Sequence, residues 1–239
     1  MAQDRAEASF AGKWRDLRTR AITAIVAAPI GLGALWWGGW AWIGLVLLAL
    51  LGMAGEWRNL ARGLNFTIAK TWLLGELYLL PACIALIWLR EMPGGGLGNV
   101  LFVLLIVWSS DIGAYMVGRL VGGPKLAPSI SPGKTRSGAV GGLVSVMLIG
   151  LIAAEITQGG APLRAMVEAG LLGIASQAGD LLESWIKRRA GVKDSGWVLP
   201  GHGGLLDRLD ALLIAAPLAA LMALASGPGV YLWVKAPLP

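Results

Sequence analysis

The sequence predicts an all-α, polytopic integral membrane protein with about seven transmembrane helices, folded as one membrane domain over residues 1–239. Three observations predict it. Only 14% of residues are charged and 56% are hydrophobic, whereas a soluble globular domain carries about 25% charged residues. Mean hydropathy is +0.68. Apolar stretches of spanning length recur along the chain, and Lys and Arg cluster in alternate gaps between them. The twelve Trp and thirty-five Gly agree, because Trp gathers at membrane interfaces and Gly is common in spanning helices.

Residues 1–19 form a charged amino-terminal segment holding Arg5, Lys13, Arg15 and Arg18. A charged lead before an apolar stretch superficially fits a secretory signal. This lead is long, however, and several apolar stretches follow it, so the first is expected to be retained. With about twenty mostly apolar residues needed per span, the candidates are 20–36, 41–55, 71–90, 99–117, 138–155, 163–186 and 209–225. Trp36-Trp37-Gly38-Gly39-Trp40 reads as an interfacial aromatic corner between the first two. Pro81 inside the third predicts a kink that neighbouring helices must satisfy. The two longest polar loops, 118–137 and 187–208, are rich in Gly, Pro, Lys and Arg.

Starting the amino end in the cytoplasm and alternating puts seventeen of the twenty basic residues on the cytoplasmic side. Only Arg90, Arg164 and Lys235 fall outside, a strong positive-inside asymmetry. The same charge accounts for the net +6 without nucleic acid as a partner. Cys83 is the only cysteine and His202 the only histidine. That excludes an internal disulfide, a cysteine-built metal site and a histidine-based zinc site.

Carboxylates inside or at the ends of spans are expensive, so each is a functional candidate. Glu76, Asp111, Asp180, Glu183, Asp207 and Asp210 all fall in the cytoplasmic half, which predicts one cytoplasm-facing active site. Asp180, Glu183, Ser184 and Lys187 share one helix face; for Glu183 and Lys187 a plain acid–base ladder is an equally good reading. Asp207 and Asp210 are three apart at the start of the last span. Two hard carboxylates among basic residues suit Mg²⁺ with a phosphate-bearing substrate. Around His202, Gly201, Gly203 and Gly204 allow backbone N–H groups to approach an anion. In the other loop Gly133-Lys134-Thr135 imitates the end of a phosphate-binding loop, but Pro128 stands where its first glycine is required. Ser131, Lys134, Thr135 and Arg136 still offer a compact anion-binding turn, for which ordinary positive-inside charge is an equally good reading.

The run Ser184-x2-Lys187-Arg188-x4-Lys193-Asp194-x-Gly196-x3-Pro200-Gly201-His202-Gly203-Gly204-x2-Asp207-Arg208-x-Asp210 resembles the signature of the phosphatidate cytidylyltransferase family. Asp111-x2-Ala114-Tyr115-x2-Gly118, Ser131-Pro132-x-Lys134-Thr135-x2-Gly138 and Glu56-Trp57 resemble further segments of it. The family usually has Lys where Gly133 stands and Glu where Ser137 stands. The resemblance covers about residues 50–225. It implies Mg²⁺-dependent transfer of a cytidylyl group from CTP to phosphatidic acid, in a multi-pass bacterial-type inner membrane, by a homodimer. It further implies that Asp180 and Asp207 ligate metal, with a second, monovalent cation alongside. Lys187, Arg188, Lys193 and Arg208 would hold phosphates, and His202 would orient one. Lys134 and Thr135 would close on the nucleotide. Asp111, Tyr115, Ser131, Ser184, Asp194 and Asp210 are expected among the other substrate contacts.

Three other readings compete with this one. A CDP-alcohol phosphotransferase needs an Asp-Gly pair, and none occurs. A transporter predicts inverted repeats and midplane charges; here no repeat is visible and the carboxylates gather at one face. A CTP-using polyprenol kinase is separated only by the signature.

Overall fold

The computed structural model describes residues 23, 25–157, 161–198, 203–226, 229–231 and 234–235. The segment 1–19 and residues 199–202, His202 among them, lie outside the described residues.

The described residues of each predicted span are helical. The helices are α1 (Ile25–Trp37), α2 (Gly39–Gly63), α3 (Ile68–Arg90), α4 (Gly96–Val121), α5 (Arg136–Ile156), α6 (Pro162–Arg189) and α7 (Leu206–Ser226). Five of them, α2, α3, α4, α5 and α7, are long and apolar enough to cross a membrane. The described part of α1 is shorter. α6 has 28 residues, about 42 Å at 1.5 Å per residue, but it carries the charges that the site uses. Large apolar side chains such as Leu48, Leu51, Leu77, Ile152 and Leu221 face outward, as lipid-facing residues do.

Helix packing closes a ring: α4 on α5, α5 on α6, α6 on α7, α7 on α3, and α3 back on α4. α2 lies against α3 outside that ring. The buried core runs through Trp42, Met53, Leu89, Ile106, Leu172 and Leu206. α4 and α5 meet over small residues, because a side chain at Gly141 would collide with Val117, and one at Gly138 with the Ala114 carbonyl. Such close approach is how helices associate in lipid, where apolar burial supplies no drive between them.

The aromatic corner is present. α1 and α2 break at Gly38, whose φ of 71° suits glycine. The Arg90 guanidinium lies against it, its Nε donating to the Leu35 carbonyl at 2.7 Å and its Nη2 to that of Trp36 at 3.0 Å. Trp36, Trp37 and Trp40 are all exposed. α3 runs on through Pro81 as one helix.

Loop 118–137 is shorter and more ordered than a helix-to-helix linker. α4 extends to Val121, and β1 (Lys125–Ala127) pairs antiparallel with β2 (Ser131–Thr135), Lys125 opposite Thr135 and Ala127 opposite Ser131. Beyond α7, β3 (Gly229–Tyr231) pairs with β4 (Val234–Lys235).

Candidate active site

β2 delivers Lys134 to the end of the bundle. Thr135, the next residue, caps α5: its Oγ1 accepts the Gly138 N–H at 3.0 Å. Ser137 fixes the same corner by donating to the Gly122 carbonyl. The hairpin therefore has one exit angle, and Lys134 meets Asp180 of α6 in an ion pair. Ser184 Oγ, one turn on, lies 3.4 Å from Asp180 Oδ1. At the hairpin turn the Ile130 carbonyl accepts from Arg188 Nε at 3.2 Å, and Arg188 Nη1 also reaches the Val192 carbonyl. Arg188 thus ties the hairpin to the end of α6.

Asp111, Tyr115, Gly133, Lys134, Thr135 and Asp180 line one cavity of about 610 Å³ between α4, α5, α6 and the hairpin. Tyr115 stands at its edge with its hydroxyl accepting from Arg119 at 2.6 Å. Gln177, one turn below Asp180, also lines the cavity. Its Nε2 donates to the Ala139 carbonyl at 3.1 Å and approaches Ser110 Oγ at 3.4 Å.

A second cluster sits beside the first, across α6. Lys187 Nζ is 2.5 Å from Glu183 and 2.6 Å from Asp207 Oδ1. Its side chain is only 12% exposed and that of Glu183 1%, so these charges hold one another out of water. The i,i+4 ladder read from the sequence is real, and the first turn of α7 adds the third member. Asp207 also accepts the Ser195 N–H at 3.0 Å and the Gly204 N–H at 2.9 Å. Asp210, a turn further, accepts the Ala211 N–H through Oδ1.

The loop between α6 and α7 folds over a residue that sequence reasoning left outside the site. Glu56 of α2 is 3% exposed. Its carboxylate accepts the Leu205 N–H at 2.9 Å, the Leu206 N–H at 2.8 Å and the Ser195 hydroxyl at 3.1 Å. A buried carboxylate needs such donors, and the N-terminus of α7 has orphan N–H groups to give. The glycine-rich loop thus approaches anions, as its composition suggests, but the anions among its described residues are the protein's own Glu56 and Asp207.

Asp111, Tyr115, Lys134, Thr135 and Asp180 share the cavity; Lys187 and Asp207 form the neighbouring ion cluster. Ser131 opens β2 opposite Ala127. Lys193, Asp194 and Arg208 are exposed and do not line the cavity, and Asp194 packs beside Gly203. Glu76 is exposed on α3 and does not line the cavity. Gln177, Glu56 and Ser195 are additions; for Glu56 the available signal was a carboxylate at the end of a span.

With this geometry in place, the comparisons are specific. Residues 66–225 match the cytidylyltransferase family. A phosphatidate cytidylyltransferase of Brucella suis is 38% identical over 253 residues, 86% of this chain and 93% of that protein. One of Rickettsia felis is 31% identical over 210 residues, 85% of this chain and 90% of that protein. One of Pseudomonas aeruginosa is 40% identical over 177 residues, 73% of this chain and 60% of that protein.

Proposed function

The chain belongs to the cytidylyltransferase family, and from that premise we propose that it transfers the cytidylyl group of CTP to phosphatidic acid. A phosphate oxygen of the lipid attacks the α-phosphorus of CTP, the bond to the bridging oxygen of the β-phosphate breaks, and pyrophosphate leaves. The products are CDP-diacylglycerol and pyrophosphate. The observation that carries this reading is the pairing of Lys134 with Asp180 in the cavity, each side chain 29% exposed. A cation and a carboxylate from separate elements, held face to face but reachable, are what a triphosphate with its metal ion needs. Phosphatidate is already ionised near neutral pH, so the reaction asks for positioning and charge neutralisation rather than a strong base.

The residues fit magnesium that arrives with the nucleotide. Mg²⁺ takes oxygen ligands, keeps several waters and binds through one or two carboxylates plus substrate phosphates. Among the described residues no three Asp, Glu, Cys or His converge as a complete protein cage. Asp180 would be one ligand, with Lys134 released from it to the phosphates. Asp207 already accepts from Lys187, Gly204 and, through both oxygens, Ser195, so a metal there would have to displace one of these donors. When bound, magnesium would neutralise charge on the leaving pyrophosphate. Thr135, committed to capping α5, sets the direction of Lys134. Arg188, Lys193 and Arg208 supply the positive surround for phosphate, and Lys187, paired with Glu183 and Asp207, holds Asp207 in place.

Purified protein given CTP, phosphatidic acid and Mg²⁺ should yield CDP-diacylglycerol detectable by mass spectrometry of the lipid extract. EDTA should abolish the product and excess Mg²⁺ restore it. Product unaffected by EDTA would refute the metal, and no product would refute the function.

We place the hairpin and the α6–α7 loop on the cytoplasmic side, supported by the seventeen basic residues that this orientation collects there. A cysteine replacing Lys235 should then react with an impermeant maleimide added to spheroplasts, and one replacing Lys125 only after lysis. The reverse pattern inverts the topology. Cys83 is buried and does not compete. The homodimer that the resemblance implies is decided by sedimentation in detergent.

A further inference from the structure

We propose that Glu56 is a positioning residue for the transfer reaction: from α2 it clamps the α6–α7 loop in the one conformation that seats Asp207 and Lys187. Three loop donors converge on its carboxylate, the N–H groups of Leu205 and Leu206 and the hydroxyl of Ser195. Ser195 and Gly204, through their N–H groups, are also the residues that hold Asp207. Two carboxylates therefore draw on the same two short stretches of the loop, one at Ser195 and one at 204–206. Glu56 fixes where α7 starts, and Asp207 stands on its first turn.

The loop's glycines follow from this clamp. A Cβ on Gly196 would come within 2.5 Å of the Glu56 carboxylate, and one on Gly204 within 1.9 Å of the Ser195 hydroxyl that donates to Glu56 and 2.8 Å of Glu56 Oε2. Neither residue has a positive φ, so what each requires is space around the Glu56–Ser195 contact rather than a left-handed backbone. Negative charge at this point also suits the N-terminus of α7, where the helix dipole and orphan N–H groups favour an anion. Glu56 lies upstream of residues 66–225, the part that matches the family. The amino-terminal helices accordingly complete the site instead of merely anchoring the chain.

The inference rests on the proposed reaction for its activity readout, and on hydrogen exchange for one that does not need it. Glu56→Gln keeps the shape but turns an NH₂ toward an N–H or hydroxyl donor. In the full-length protein we expect kcat to fall about tenfold, the equivalent of one hydrogen bond to a charged group, with KM for CTP within about threefold of wild type. The amides of Ser195, Leu205 and Leu206 should exchange faster, while those of α4 and α5 keep their protection. Gly196→Ala should copy this loss, yet add little in a Glu56→Ala background, because the Cβ then has room. If Glu56→Gln fails to fold, Ser195→Ala, which removes only the neutral donor, should carry the same pattern at about threefold. Wild-type kcat with unchanged loop exchange in these variants, or strictly additive Gly196→Ala and Glu56→Ala losses, would overturn the proposal. Wild type making no lipid product would instead refute the reaction, and the exchange data would still decide the clamp.

Discussion

Asp180→Asn is expected to lower kcat for lipid product by about 10²–10³-fold, the scale of losing one preorganised charge at a transition state, with little loss of fold. Asp180 faces Lys134 across a cavity open enough to leave each side chain 29% exposed, so the substitution creates no deeply buried unpaired charge. Lys134 remains free to bind phosphate. CTP binding should therefore weaken far less than turnover does. A variant that turns over normally would remove Asp180 from the metal site and leave Asp207 as the only assigned carboxylate ligand. Titrating Mg²⁺ in the same assay adds a second check, because a lost ligand should raise the Mg²⁺ concentration needed for half-maximal rate.

Lys187→Met is expected to act on stability first. Its ammonium is the shared partner of Glu183 and Asp207 at 2.5 and 2.6 Å. Removing one member of a buried ion cluster strands the others, at a cost of about 3–5 kcal/mol. Thermal unfolding in detergent should show a lowered midpoint, and activity should be lost with it. The double variant Lys187→Met, Glu183→Gln separates the two effects. With the stranded Glu183 charge gone, the midpoint should recover a large part of the loss while turnover stays low. Recovery of both would mean that Lys187 serves the fold alone.

The helices were legible because membrane spans obey a blunt rule of length and hydropathy, and the five helices long and apolar enough to cross a membrane all fall on predicted stretches. The hairpin was not. Its strands are three and five residues long, β2 contains Pro132 and Gly133, and neither residue favours a strand. Its existence follows from anchors at both ends, Thr135 on α5 and Arg188 on the Ile130 carbonyl. The Glu183–Lys187 pair was legible because four residues along a helix bring side chains together. Asp207 as its third member was not legible as a contact, since only the packing of α6 on α7 makes it. The same holds for Glu56, whose partners lie 139 to 150 residues away. Glycines around His202 signalled close approach to an anion, but the pattern could not say whether that anion was a substrate or a side chain. In the described part of the loop it is two side chains.

The proposed reaction cleaves CTP between the α- and β-phosphates and leaves the nucleotide on the lipid. The direct measurement is the fate of label in parallel reactions of the purified protein with phosphatidic acid and Mg²⁺, one with α-labelled and one with γ-labelled CTP. α label should appear in the organic phase as CDP-diacylglycerol and γ label in the aqueous phase as pyrophosphate. γ label in the lipid would contradict it, because the enzyme would then be moving a phosphoryl group as a kinase does.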